Sequence, residues 1–410
     1  MRAICDTGGT ATESARLDGA LQDASTIFYP RLEALRGVAA LTVAAFHSWQ
    51  SIWIDAAGRK RSFFPSDGAA GWVEQFGAGL LHVFGNGLGA VILFFVISGF
   101  VLSGSLARSR QGFCAAASRF LPARLFRIYP AIFATIGIFA ILFWVTGAMF
   151  GPADAYRPFG LLRNALLLET SIDGVMWSLQ IELIAIPLIL LVFFGSARWG
   201  LILPTALFLG LAALSFSGAW NRAIGSVGMF GTIHAFIPGM IAFQIGRRLV
   251  ERCPVRLAPA LFMVLLVSFV IIRPVLGWTS NWAPLIEAVV GTAIVAFLAF
   301  GRIGAPGRTF DLGVVRFFGR VSYSFYLLHP LTLIVMWNMP ETLGAIIRFG
   351  VPVSIVALAL FILSTAAVTP LAWGMFQWVE RPGVVLGRAL AKRLAAHCYY
   401  HRHRERMLTL

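Results

Sequence analysis

The sequence predicts an all-α fold, a polytopic membrane bundle of about ten transmembrane helices with both termini in the cytoplasm. Three observations carry that expectation. Of the 410 residues 58% are hydrophobic and only 12% are charged, about half the charge of an ordinary soluble domain. Apolar runs of about 17 residues or more recur along most of the chain. The basic residues between these runs alternate in density from one loop to the next.

The runs fall at 34–53, 86–106, 128–148, 178–195, 199–217, 227–246, 258–276, 284–301, 322–338 and 350–373. The stretch 76–85 is also rather apolar, and 160–168 reads as interfacial or re-entrant. With the N-terminus inside, 24 of the 33 Lys and Arg residues fall on cytoplasmic segments, eight fall outside, and Arg36 lies at the start of the first span. That asymmetry sets the orientation. Cys5, Cys114, Cys253 and Cys398 all land on the cytoplasmic side, where thiols stay reduced. The net charge of +15 and the pI near 10.9 therefore describe basic cytoplasmic loops. The partner they imply is a lipid bilayer, not nucleic acid.

Residues 1–30 are small and polar, with Asp6, Glu13, Asp18 and Asp23 and no apolar core after a basic start. They read as a disordered cytoplasmic tail rather than a signal peptide. Residues 31–383 form the membrane domain, and 384–410 a basic cytoplasmic C-terminal tail.

Polar side chains inside spans are costly and mark function or packing. Arg36 and His47 stand eleven residues apart, three turns of helix, so they share one face about 16 Å apart. Arg124 and Arg127, with Arg119 just before them, share a face at the cytoplasmic mouth of the third span. There they suit phosphate groups or ordinary interfacial anchoring. Glu182 begins the fourth span in MWSLQIE, with Trp177 before it and Ser178 one turn earlier on its own face. Its carboxylate needs a partner, an Arg or His on another helix. Ser322, Tyr326 and His329 recur at spacings of four and three, flanked by Tyr323. Pro330 then removes a backbone donor, which bends the helix and frees a carbonyl. His82, Asn86, Ser98, Ser103 and His234 are weaker candidates. No nucleophile elbow, phosphate loop or metal-ligand cluster is present in the sequence, so no metal and no tightly bound cofactor are expected.

The ordered set RLEALRGVAALTVAAFH, GAVILFFVISGFVLS, ARLFRIYP, MWSLQIE, FFGRVSYSFYLLHP and WVERP resembles the acyltransferase-3 family of integral membrane acyltransferases. The resemblance covers roughly residues 30–383. It implies that Arg36 and His47 form the family's Arg-x10-His pair, with His47 the essential catalytic residue. It implies that Arg124 and Arg127 are its Arg-x-x-Arg donor motif, and that Ser98, Gly99 and Phe100 are its SGF motif. Glu182 would be the acidic residue after Trp-Ser-Leu, and Tyr326 and His329 the Tyr-Leu-x-His element. The hydrolase-like domain that some relatives carry after an eleventh span is not expected here.

Together these readings assign catalysis to His47, Arg36 and Glu182. The donor falls to Arg124, Arg127 and Arg119, and the substrate path to Ser98, Trp177, Ser178, Tyr326 and His329. The expected reaction takes an acyl group, acetyl above all, from acyl-CoA to a hydroxyl of an exported carbohydrate or other acceptor. It would occur in the cytoplasmic membrane, with His47 acting as general base or as acyl carrier. A transporter or flippase using the same His, Glu and Arg residues is the alternative. It would show no acyl-CoA-dependent product.

Overall fold

The computed structural model describes residues 29–53, 84–108, 113–217, 230–337 and 349–408, with positions 77, 80 and 346. The N-terminal tail up to residue 28 and His82 lie outside the described residues. Among the described residues every regular element is helical.

Helix α1 covers Pro30–Trp53, α2 Gly87–Ala107 and α3 Phe113–Thr146. A short helix α4, Pro158–Ala165, precedes α5, Trp177–Trp199, and α6, Ile202–Phe216. Then follow α7 at Phe236–Glu251, α8 at Ala258–Leu276 and α9 at Trp282–Phe300. After a single turn, α10 at Gly304–Arg308, come α11 at Gly313–Leu328 and α12 at Pro330–Trp337. The last pair is α13, Val353–Met375, and α14, Arg381–Leu408, joined by a π-helical turn at Phe376–Glu380.

A helix lies at each of the ten apolar runs. By length and composition six stretches among the described residues can cross a membrane: α2, α3, α5 with the turn before it, α8, α9 and the α13–α14 run. Each of the other four runs has a physical reason to fall short of that measure. Helix α1 opens on Arg31, Glu33 and Arg36. Helix α6 has 15 residues. The sixth run is a 3-10 segment, Phe230–Ala235, ahead of α7. The ninth is divided at His329 into α11 and α12. The stretch 160–168 contains the eight-residue helix α4 and the turn after it.

The outside of the bundle is apolar as well as the inside. Ile202 and Val145 are 78% and 77% exposed, as expected where lipid is the solvent. Lipid gives apolar faces no reason to associate, so close packing of small residues must bring helices together. Helix α1 crosses α11 at Gly37 and Gly319. A Cβ on Gly37 would meet the backbone of Phe318 and Gly319, and one on Gly319 the backbone of Glu33 and Ala34. Helix α2 crosses α7 in the same way. The Gly99 position abuts the Phe236 carbonyl, and Gly239 abuts the Val96 carbonyl. The first crossing holds His47 and His329 side by side.

One polar knot sits apart from these crossings. Arg273 on α8 is 2% exposed and makes two 2.9 Å bonds to Glu287 on α9, which also accepts from Asn86. Arg273, one of the eight basic residues that the charge asymmetry places outside the spans, is instead a member of a buried ion pair that ties α8, α9 and the start of α2 together.

The C-terminal segment read as a basic tail is the helix α14. Its first three turns pack against α3, with Gly383, Gly387 and Ala391 buried.

Candidate active site

The break at Pro330 organises one end of the site. Proline lacks the N–H that would bond the Tyr326 carbonyl one turn back. His329 fills the gap: its Nδ1 lies 2.7 Å from that oxygen. A carbonyl only accepts, so His329 Nδ1 carries the proton and donates it. The Nε2 of the same neutral ring is then an acceptor, and it lies 2.9 Å from His47 Nδ1. His47 Nδ1 must therefore donate, which leaves His47 Nε2 with a free lone pair. The rings lie nearly parallel, at 7°.

His47 lines a cavity of about 360 Å³ together with Gln50, Ser171, Asp173, Trp177 and Leu333, among others. The loop on one side of this cavity is tightly held. Asn164 is fully buried; its Oδ1 accepts from the Ile172 amide at 3.0 Å, and its Nδ2 donates to the Gly160 carbonyl. Gln180 donates to the carbonyl of Leu167, a residue in the left-handed region at φ 57°. Asp173 accepts from the Val175 amide through Oδ1, while its buried Oδ2 meets no partner. Burial pushes the Asp173 carboxyl well above the usual carboxylate range.

Toward the N-terminus of α1 the polar residues continue. The Tyr326 hydroxyl donates to the Val175 carbonyl at 3.0 Å and lies 2.9 Å from the Ser178 hydroxyl. Both residues line a small cavity of about 40 Å³, room for a few water molecules, with Arg36, Ser98, Glu182, Ser322 and Tyr323. Glu182 accepts from Ser98 at 3.2 Å and is paired with Arg124. Arg124 in turn lines a third cavity, of about 530 Å³. Six cations surround that space: Arg108, Arg119, Arg124, Arg127, Arg388 and Lys392.

Most of the residues expected from the sequence thus meet along one line. Arg119, Arg124 and Arg127 share the cationic cavity. Arg36, Ser98, Ser178, Glu182 and Tyr326 share the inner one. His47 and Trp177 share the far one, with His329 bonded behind His47. The anticipated partner of Glu182 is Arg124. Arg36 and His47 lie on the same helix but face different cavities. Asn86 caps α2 and bonds Glu287, and Ser103 bonds the Gly99 carbonyl. His234 is buried against the Gly231 carbonyl.

Four contributors escaped the sequence. Asp173 lies in a loop, where nothing marks a polar residue out, and Gln50 lies in the last turns of α1, where a polar side chain passes for an interfacial one. Glu287 was findable, since it is an ionisable group inside an apolar run. Glu380, in WVERP, is buried and accepts from Ser324 at 2.9 Å.

The model of an acyltransferase domain family, acyltransferase-3, matches residues 29–376. Searches among curated proteins and among solved structures each returned no match.

Proposed function

The chain belongs to the acyltransferase-3 family, and from that premise we propose that it is a membrane O-acyltransferase. It takes an acyl group, acetyl being the simplest, from acyl-CoA at the cationic cavity. It delivers the group to a hydroxyl of an exported carbohydrate or similar acceptor at the His47 cavity. Ten spans in the cytoplasmic membrane, with both termini and the cationic cavity on the cytoplasmic side, complete the reading. One observation carries it: a histidine with its free nitrogen held in place by hydrogen bonds, on a cavity joined residue by residue to a cluster of arginines.

The chemistry follows from the tautomers. His47 Nε2 takes the proton of the acceptor hydroxyl as that oxygen attacks the thioester carbonyl. The C–S bond then breaks, and the departing thiolate of CoA receives the proton back from His47. His329 holds the ring and stabilises the imidazolium, because its Nε2 faces the proton on His47 Nδ1. Arg119, Arg124 and Arg127 hold donor phosphates by charge-assisted hydrogen bonds. Arg36, Ser98, Ser178, Trp177 and Tyr326 line the way between.

The two ends are about 16 Å apart along α1, at 1.5 Å per residue from Arg36 to His47. A pantetheine arm can bridge such a distance, but the inner cavity is too narrow for it as it stands. Phosphates competing for Arg124 would draw it from Glu182 and widen the passage there.

The test is release of CoA thiol from acetyl-CoA by the purified chain, with water or a sugar as acceptor. The wild type should release CoA, while His47→Gln, equally folded, should lose about three orders of magnitude, within the span of general-base contributions. Equal rates for the two proteins would reject His47 as the base.

A further inference from the structure

Helix α14 lies beyond the residues that match the family, yet it forms a wall of the cationic cavity. Its sequence explains how. Gly383, Gly387 and Ala391 repeat every four residues and are buried. A Cβ on Gly383 would stand 2.6 Å from the Phe126 carbonyl oxygen, and one on Gly387 2.6 Å from the Phe126 Cβ. Small residues at that spacing let α14 close on α3. One residue further on runs a second stripe, Val384, Arg388 and Lys392, and all three line the cavity. The docking stripe therefore sets the cationic stripe over the space.

The charge balance calls for an anion. Arg388 and Lys392 sit one turn apart on a single helix, where like charges repel. Four arginines face them across about 530 Å³, and among the described residues no carboxylate lines the cavity. A single phosphate is satisfied by one arginine pair. Two further cations on another helix suit a second phosphate group at a distance from the first. Arg124, through Glu182, adjoins the inner cavity, so the phosphates next to the pantetheine arm belong with Arg124 and Arg127. We infer that Arg388 and Lys392 bind the 3′-phosphate at the far, adenosine end of the donor. The inference rests on the acyl-CoA reading above and adds a specificity element outside the matched domain.

The full-length chain in phosphatidylcholine nanodiscs would be titrated calorimetrically with CoA and with 3′-dephospho-CoA. The double variant Arg388→Gln/Lys392→Gln should bind CoA about tenfold more weakly, as expected for loss of charged hydrogen bonds at an accessible site. Its affinity for 3′-dephospho-CoA should stay within twofold of the wild type. Arg393→Gln, an exposed neighbour outside the cavity, controls for general loss of charge and should leave CoA affinity unchanged. Equal losses for the two ligands, or no loss for CoA, would overturn the inference while leaving the donor reading in place if Arg124→Gln/Arg127→Gln weakens CoA. Failure of the wild type to bind CoA would overturn both. A loss seen only with phosphatidylglycerol present would assign the two cations to a lipid headgroup and overturn the inference as well.

Discussion

Behind the His47 ring stand His329, the Tyr326 carbonyl and the proline that left that carbonyl open. His329→Ala removes the acceptor for His47 Nδ1–H and frees the ring to turn. It should lower kcat by about 10²-fold, the scale of a misplaced catalytic group, with little effect on CoA affinity. His329→Gln, whose amide carries both a donor and an acceptor, should recover part of the loss. Steady-state kinetics beside CoA titration separates the two effects. Asp173 makes a pH prediction. Its folded pKa lies above the unfolded one because of burial, so the folded state holds the proton more tightly. Its contribution is fully present below about pH 4, the ordinary value, and is lost as pH rises through the raised folded pKa. In Asp173→Asn the thermal unfolding midpoint in detergent should fall less with rising pH than in the wild type. An identical slope would count against a protonated Asp173. Residue spacing in the sequence already placed Ser322, Tyr326 and His329 on one face and required a cation for Glu182. It did not reveal that His329 bonds His47, because 282 residues separate them and nothing local encodes the pairing.

At the scale of elements, the histidine pair depends on how closely α1 and α11 approach. Gly37→Ala would push a methyl group into the backbone of Phe318 and Gly319, and a backbone cannot rotate aside. Overpacking of this kind costs about 1–3 kcal/mol. Gly37→Ala should therefore lower the unfolding midpoint and reduce CoA release together, since the crossing also sets the distance between His47 and His329. Normal activity in a destabilised variant would separate the crossing from the chemistry. The helices themselves were plain from apolar run length, because lipid demands it. Three features were less plain. The ninth run divides at His329, the sixth holds a 3-10 segment at Phe230–Ala235, and the basic C-terminal stretch is a docked helix. The Gly383, Gly387, Ala391 repeat was the available signal for the last, and the density of arginines around it reads first as a tail. The ion pair of Arg273 and Glu287 stayed hidden because Arg273 lies near the end of its run, where a cation passes for an interfacial anchor.

Across the whole molecule, three cavities lie in series, linked by Arg124 with Glu182 and then by Ser178 and Tyr326 with the histidines. A bundle built only as a scaffold has no need of such a row. The proposed orientation puts the cationic cavity in the cytoplasm. Exposed Cys114, at the start of α3, should then react with a membrane-impermeant maleimide in inverted vesicles and stay protected in intact spheroplasts. The reverse pattern would invert the direction of transfer. The central claim is acyl transfer through His47. It is tested most directly by mass spectrometry of surface glycans and small metabolites from cells making the wild type, cells making His47→Gln at a matched membrane level, and cells making neither. The account predicts a product heavier by one acyl group with the wild type alone. The same acylated product with His47→Gln, or none with the wild type, would contradict it.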